Sequence, residues 1–429
     1  MYDNQDMDNG TLDLDDEKKN YVGIIIGVLV VIVFIVVGFM FFKFYSGGNV
    51  TDNSEENISS MQIIENGSKA ESAVEASEEQ SVEESKDEAV SKDEAVSEED
   101  EPSESSELSE ASEEISEEVS VEPEHGWVIN NMGYTYLYQG AGFNQFNGTK
   151  ALAEKYAAAL NKLTSTVSFP VYSIIAPTSV EFVDIPYDVK QSDDFYNSSQ
   201  KTFTTNVNNA ANSSAVDVYT AISSKVSEEY LYMKTDKNWT ADAAYYAYVE
   251  FCNSVGQIPA SRASYEKGSY SGYLGNFYNA TSSGRLKANA DTVNYYKVNA
   301  IYPCVVTMYR GGLAYKDRAL IYTQLSNPTS YAYYAFLGDR GETFTINSQN
   351  SASEKSLLVV GDSSAFAFVP YLAANYRNIY FVNAESFKGK ISEYISGKNI
   401  DEAVVLSYAT SAVTSSYVNG LGNIFGNPQ

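Results

Sequence analysis

The chain has 429 residues and a formal net charge of -29, but the negative charge is concentrated in its N-terminal part. Residues 125–429 carry 23 acidic and 22 basic side chains, which excludes a uniformly acidic enzyme and argues against a nucleic-acid partner. The single histidine, His125, excludes a multi-histidine metal site, and the two cysteines exclude a disulfide-stapled scaffold. We therefore expect no metal and no cofactor.

The first predicted element is a transmembrane helix over residues 21–43, which follows a short acidic cytoplasmic tail at residues 1–20. Residues 21–42 include no charged, Asn, Gln or Pro residue, and a helix of this length spans about 33 Å, enough for a bilayer core. The alternative is a cleaved signal peptide, but its apolar region would be shorter and would end in small residues. Here aromatic residues and Lys43 end the run, which favours a retained single-pass anchor. Two lysines before the helix place the N-terminus in the cytoplasm and the C-terminal domain outside.

Residues 44–124 are predicted to be a disordered linker. The segment 51–124 is rich in Glu and Ser and has no aromatic side chain, so it cannot bury enough surface to offset the entropy of ordering. The six residues at 86–91 recur at 92–97, which is typical of a segment where composition matters more than order. Such a spacer would hold the domain at 125–429 clear of the membrane and suits a thick-walled, Gram-positive cell.

The C-terminal domain has the length of one large α/β domain. Apolar residues at helical spacing predict a helix over 149–164, and a mostly apolar run bounded by prolines predicts a buried strand over 171–176. Thr240 is the predicted N-cap of a helix that extends through Cys252. Cys252 and Cys304 could pair outside the cytoplasm or remain buried free thiols, and the sequence does not decide between these states.

The last part of the chain has the most regular pattern. Apolar β-runs alternate with helical segments in the order strand 357–360, helix 364–376, strand 379–382, helix 385–396 and strand 403–406. This alternation predicts a parallel, helix-covered sheet. Ligands of such sheets bind at the C-terminal ends of the strands, where Ser363 would lie.

The turn Gly361-Asp362-Ser363 after the first of these strands suits a nucleophile. Gly361 permits a sharp turn, Ser363 emerges at the strand end, and backbone N–H groups of the following helix could stabilise an oxyanion. By itself the tripeptide is weak evidence, because a serine at a helix start is more often a cap.

Further motifs occur in a fixed order over nearly the whole domain. They are GW (126–127), APTSVE (176–181), EYLY (229–232), TDKNWT (235–240), YYAY (245–248), YLGNFY (273–278), GDS (361–363) and VPYL (369–372). In these motifs residues 126–429 resemble the DHHW family of the SGNH-hydrolase superfamily, relatives of the alginate O-acetyltransferase proteins of bacterial envelopes. The resemblance implies an SGNH-like α/β domain in an extracytoplasmic, membrane-anchored setting.

The resemblance also implies a catalytic triad, from which this chain departs. In the family a serine of the GDS-like turn attacks an acyl carbon, a histidine of the Asp-His-His-Trp motif takes its proton, and the aspartate orients the histidine. Here that motif is Asp236-Lys237-Asn238-Trp239, so neither histidine position holds a histidine. Asn238 cannot titrate, and Lys237 could act as a base only if its environment strongly favoured the neutral amine.

Site residues follow from these motifs. Ser363, Asp236, Lys237 and Asn238 are the candidate catalytic residues. Gly361, Asp362, Trp239 and Asn276 are the candidate binding residues. For Trp239 the favoured alternative is a side chain packed under the strand ends, and Asp236 could cap the helix that begins near Thr240.

Three functions remain open at this point. The first is a catalytically degenerate envelope protein that binds or organises a cell-envelope polysaccharide or peptidoglycan. The second is an active O-acetyltransferase or acetylesterase that uses Ser363, with Lys237 or a water as an unorthodox base. The third is a structural envelope protein that uses the domain to contact a protein partner.

Overall fold

The structure is a computed structural model that describes residues 126–130, 133–185 and 197–426. The predicted tail, anchor and linker, together with His125, lie outside these residues. The strands are β1 (Gly126–Asn130), β2 (Gly133–Tyr138), β3 (Ala141–Phe143), β4 (Val171–Ala176), β5 (Ser214–Ala215), β6 (Lys267–Tyr273), β7 (Asp291–Tyr296), β8 (Cys304–Arg310), β9 (Leu313–Arg318), β10 (Thr343–Ser348), β11 (Ser356–Gly361), β12 (Asn378–Asn383) and β13 (Glu402–Tyr408).

Most of the helices are short. They are α1 (Lys150–Thr166), α2 (Gln200–Ala210), α3 (Val218–Ser223), α4 (Ala241–Ser254), α5 (Asn276–Thr281), α6 (Gly284–Ala288), α7 (Val298–Ile301), α8 (Pro328–Tyr331), α9 (Ala365–Phe368), α10 (Ile391–Tyr394), α11 (Ala409–Ala412) and α12 (Ser415–Phe425). Within the described part of the chain, no helix combines the length and the apolar character that a bilayer crossing needs.

The centre of the domain is an eight-stranded sheet in the order β5-β4-β13-β11-β12-β10-β8-β9. Strands β5, β4, β13, β11 and β12 are parallel, whereas β10, β8 and β9 extend the sheet in antiparallel register. The sheet is therefore mixed, which corrects the prediction of a parallel sheet. The antiparallel edge arises partly from the hairpin turn Gly311-Gly312, since both glycines have positive φ and join β8 to β9 in two residues.

Both faces of the central parallel strands β11 and β13 are buried, which explains their mostly apolar sequences. On one face Leu357 and Val359 pack in a core cluster with residues of α4. On the other face Leu358 and Val360 pack with residues of α1 and α12. Alternate side chains of β11 thus belong to two separate cores. Packing on both faces fixes the position of this strand and of the turn that follows it.

Several predicted elements match the observed ones closely. Strand β4 has the predicted bounds, and α1 begins one residue after the predicted start because Thr149 is its N-cap. Helix α4 is capped as expected, since the Thr240 hydroxyl oxygen accepts a hydrogen bond from the Ala243 N–H at 3.3 Å. Cys252 and Cys304 are both free thiols, and burial raises their pKa values to about 12 and about 11.

Two predicted helices are shorter than expected. The segment 364–376 is α-helical only in α9 and continues as a 3₁₀-helix over Val369–Ala374, because Pro370 has no N–H to donate. The segment 385–396 is helical only in α10. Its first residues form a turn in which the Asn383 side-chain oxygen accepts from the Glu385 N–H at 3.2 Å, and Gly389 disfavours a continuous helix.

Candidate active site

The predicted nucleophile lies in the turn that ends the central strand β11. Gly361 is required there, because a Cβ atom at this position would lie 2.7 Å from both the Cβ of Ala365 and the carbonyl oxygen of Leu406. The glycine therefore lets the chain turn directly against the neighbouring strand β13. Ser363 follows two residues later and is 1% exposed.

Asp362 fixes the shape of this turn. One carboxylate oxygen accepts a hydrogen bond from the Ser364 N–H at 2.9 Å, and the other accepts from the Tyr408 N–H at 2.9 Å. The carboxylate is fully buried and joins the end of β11 to the end of β13. Asp362, a predicted binding residue, thus stabilises the turn that carries Ser363 in this structure.

Hydrogen bonds to Asp291 hold the residues that precede Asp236 and Asn238 in the chain. This buried carboxylate, at the start of β7, accepts hydrogen bonds from the Tyr230 hydroxyl, from the Lys234 N–H at 2.7 Å and from the Thr235 N–H at 2.8 Å. It also accepts from the Thr235 hydroxyl at 2.5 Å. The single carboxylate therefore positions the backbone immediately before the motif.

Asp236 and Asn238 form a tightly bonded pair. Asp236 Oδ1 accepts from the Asn238 N–H at 2.8 Å and from Asn238 Nδ2 at 2.6 Å. Its other oxygen accepts from the Tyr273 hydroxyl and from the Asn276 N–H, both at 2.8 Å. Burial, together with the negative charge of Asp236, raises the pKa of Tyr273 above its usual value, so this hydroxyl remains a donor. Since a carboxylate only accepts, these contacts fix the orientation of the Asn238 amide.

Gly275 allows the β6–α5 segment to approach Asp236. A Cβ atom at this position would lie 2.2 Å from Asp236 Oδ2 and 2.3 Å from its Cβ. The Gly275 N–H donates to the Thr235 hydroxyl oxygen at 3.0 Å. The YLGNFY motif therefore supplies two donors to Asp236 and a glycine that lets them come close.

Trp239 joins the motif loop to the serine turn. Its indole Nε1–H donates to the carbonyl oxygen of Ser364 at 3.1 Å, and its backbone N–H donates to the Tyr408 hydroxyl oxygen at 2.8 Å. Trp239 is fully buried, so in this structure it packs inside the domain. The first bond joins Trp239 to the serine turn, and the second joins it to the end of β13.

Two polar atoms are orphaned where these loops meet. Ser363 Oγ and Asn238 Oδ1 are both buried, and neither has a hydrogen-bond partner among the described residues. A histidine at position 238 with Nδ1 in the place of the asparagine Nδ2 would donate to Asp236 in the same way, and its Nε2 would extend farther from the backbone than the amide oxygen does. The asparagine thus reproduces the contact with the aspartate but offers an atom that cannot take a proton at neutral pH.

Lys237 points to a different environment. Its ammonium nitrogen lies 3.9 Å from one carboxylate oxygen of Glu385, and Arg340 Nη1 lies 3.5 Å from the other. The protein packed around Glu385, and secondarily the charge of Asp362, raise the pKa of this carboxylate, while the two cations oppose that shift. Lys237 is therefore one partner in a three-residue charged bridge at the surface.

Lys237 lines two cavities. The larger one, here called the cleft, has a volume of 730 Å³ and is bounded by residues that follow β12 and β13. Its polar lining includes Asn144, Asn147, Thr410, Ser411, Ser416 and Tyr417. The smaller one has a volume of 210 Å³ and is rich in tyrosine. Within the described ranges, no group of three or more His, Cys, Asp or Glu residues could hold a metal ion.

The geometry can now be compared with known proteins. A family model described as "DHHW protein" matches residues 53–382. The chain belongs to the DHHW family. The match begins within the predicted linker and ends with β12, and it includes the motif 236–239 and the serine turn. No curated protein matches this DHHW protein.

Solved structures share the fold. A DHHW family protein from Eubacterium siraeum superposes with a TM-score of 0.61 and 23% identity, covering 71% of this chain and 100% of that one. PatB1 of Bacillus cereus gives a TM-score of 0.54 and 17% identity over 68% of this chain and 99% of its own. A second PatB1 structure, which contains a sulfonyl adduct, gives 0.53 and 16% over 66% and 96%. At these identities the similarity shows that this chain shares the α/β fold of these structures.

The predicted site residues fall into two groups in the structure. Asp236, Asn238 and the Asn276 N–H are joined by hydrogen bonds, and Trp239 connects this buried loop to Ser364 of the serine turn. Lys237 instead pairs with Glu385 at the surface. No motif pointed to Asp291, Glu385 or Arg340, because each joins the site through contacts distant in sequence.

Proposed function

We propose that this DHHW protein is a membrane-anchored, extracytoplasmic protein of a bacterial cell envelope that binds or organises envelope glycans without efficient acyl-transfer chemistry. The observation that carries the proposal is the orphaned pair of Ser363 Oγ and Asn238 Oδ1. The nucleophile turn and the Asp236 contact are kept, while the proton acceptor is replaced by an amide. Loss of a triad base typically lowers the rate by several orders of magnitude but leaves substrate binding largely in place.

The lining of the cleft supports a glycan as the ligand. It opens at the C-terminal ends of the parallel strands, where α/β sheets bind their ligands. Amide and hydroxyl side chains dominate its polar surface, and these groups match the alternating donors and acceptors of a polyhydroxylated chain. A polysaccharide or peptidoglycan strand of the envelope is the ligand class that fits this surface.

The first test is covalent labelling with a fluorophosphonate serine probe on the full chain in detergent. We expect no labelling above a heat-denatured control, because Asn238 cannot activate Ser363. PatB1, which shares the fold, serves as the positive control with a sulfonyl fluoride, since one of its structures contains a sulfonyl adduct. Labelling that is lost in Ser363→Ala would favour an active O-acetyltransferase or acetylesterase.

A binding role predicts that Ser363→Ala retains glycan affinity. Calorimetric titration with solubilised envelope polysaccharide and peptidoglycan fragments should give dissociation constants for the variant within about twofold of those for the unmodified chain. The reason is that the Ser363 hydroxyl is buried and lines neither cavity. Absence of binding to any envelope fragment would instead favour the third function, contact with a protein partner.

The anchor makes a separate prediction. Removal of residues 1–43 should move the chain from the membrane fraction to the soluble fraction of the expressing cells, because the apolar run at 21–42 would be lost. A deletion of equal length within the linker, residues 73–115, should leave the chain in the membrane fraction. Membrane retention after removal of 1–43 would contradict the anchor.

A further inference from the structure

The smaller cavity, which shares Lys237 with the cleft, has the composition of a ligand subsite. It is called the tyrosine cavity here and is lined by Tyr331, Tyr333, Tyr334, Asn276, Asn279 and Arg340, together with Lys237. Its volume of 210 Å³ is below the range of drug-sized pockets and suits a single ring or a terminal substituent.

An aromatic platform lies at the mouth of this cavity. The rings of Tyr331 and Tyr334 stack with centroids 5.3 Å apart and an interplanar angle of 21°. Tyr331 is 39% exposed, so part of its ring is accessible to a ligand. A tyrosine ring held in this way presents an apolar face to a ligand while its hydroxyl stays available as a donor.

Polar side chains also line this cavity. Asn276 and Asn279 are three residues apart on α5 and therefore share one face of this helix. Tyr333, which is only 4% exposed, adds a hydroxyl to the lining. Amide and hydroxyl groups of this kind can donate to and accept from the hydroxyls of a ligand.

The charges at the cavity are unbalanced. Two of its lining residues, Lys237 and Arg340, are cations, and no acidic residue lines it. Both cations share the single carboxylate of Glu385, at 3.9 Å and 3.5 Å, so each keeps donors available. Asp236 lies behind Tyr273, and donors from the protein already occupy both of its oxygens.

We propose that the tyrosine cavity binds a sugar residue that carries a carboxylate. The stacked tyrosines contact the face of the sugar ring, the two asparagines and Tyr333 bind its hydroxyls, and Arg340 with Lys237 binds its carboxylate. A guanidinium suits this role because its planar donors can form two parallel bonds with a carboxylate. This inference rests on the proposed function and specifies the glycan as an acidic one.

The test compares two ligands that differ only in charge. Oligogalacturonate and its methyl ester have the same rings, but only the first carries free carboxylates. We expect the full chain in detergent to bind the acid about 10- to 100-fold more tightly than the ester, as charge-assisted bonds typically allow. The preference should weaken as the salt concentration rises.

Variants locate the binding site. Arg340→Gln should remove the preference for the acid and leave the affinity for the ester unchanged, and Lys237→Gln should reduce the same preference. Tyr331→Ala should weaken both ligands about tenfold through loss of the platform. The controls are Tyr309→Ala, whose ring is 38% exposed on β8, and Lys316→Gln on β9, and both should bind like the unmodified chain. Thermal melts identify any variant that fails to fold.

Three results of these binding measurements would contradict the inference, each for a different reason. Equal affinity for acid and ester would exclude a carboxylate subsite while leaving glycan binding intact. A preference that survives both Arg340→Gln and Tyr331→Ala would place acid binding outside the tyrosine cavity. Binding of neither oligomer overturns the inference, and the proposed function fails with it only if envelope fragments also do not bind.

Discussion

Asn238→His is expected to create a serine esterase. The introduced imidazole would donate one N–H to Asp236, as Asn238 Nδ2 now does at 2.6 Å, and would present its other nitrogen to Ser363. In a neutral ring that nitrogen accepts the Ser363 proton as Oγ attacks the acyl carbon, and the imidazolium then gives the proton to the leaving oxygen. Hydrolysis of p-nitrophenyl acetate should rise about 10²- to 10⁴-fold above that of the unmodified chain.

The gained activity has a defined pH dependence and controls. The rate should increase with pH through about 6.5, since only the neutral imidazole is a base. Lys237→His should give no activity, because this position pairs with Glu385 at the surface. Asn238→His combined with Ser363→Ala should be inactive. A folded Asn238→His variant without activity or fluorophosphonate labelling would show that Ser363 and position 238 are not aligned for catalysis.

Asp291→Ala is expected to cause the largest loss of stability among the site residues. It removes the acceptor for the Lys234 and Thr235 N–H groups and for two hydroxyls, and the hydroxyls can reorient whereas the backbone groups cannot. Unpaired buried donors cost about 1–3 kcal/mol each, so the free energy of unfolding should fall by about 3–5 kcal/mol. Urea unfolding followed by circular dichroism measures this change.

The matched control for Asp291 is Asp217. Asp217 also accepts bonds from a backbone N–H and a hydroxyl, at 3.0 Å and 2.7 Å from Thr220, but it is an exposed helix cap. Asp217→Ala should therefore cost only about 1 kcal/mol. Asp291→Ala should also abolish any esterase activity gained by Asn238→His, because the loop before Asp236 would lose its support. Equal effects of the two substitutions would contradict a special role of Asp291.

The site keeps the residues that would position a catalytic triad and differs from it in the side chain at position 238. We call these positioning residues the frame. The frame consists of Asp362, Asp236 and Trp239, each of which is held by hydrogen bonds of 2.6–3.1 Å to its neighbours. Its rigidity explains why a single substitution could restore chemistry. The same rigidity would serve a binding protein, since preformed surfaces lose little entropy on binding.

Features that depend on local patterns can be predicted from the amino-acid sequence. The apolar residues at 21–42 and the acidic residues at 51–124 predict an anchor and a linker from composition alone, and both stay predictions. Strand β4, the Thr240 cap and the turn after β11 were predicted correctly, because each arises from residues that are neighbours in the chain. The replacement of the family histidines is also a property of the sequence.

Tertiary structure decided everything that depends on contacts between distant residues. The antiparallel strands, the support of the motif loop by Asp291 and the pairing of Lys237 with Glu385 join residues that are tens to more than a hundred positions apart. Neither propensity nor spacing specifies such partners. The folded chain also shows that Asn238 keeps the contact a histidine would make with Asp236, because that contact depends on the loop geometry as well as on residue type.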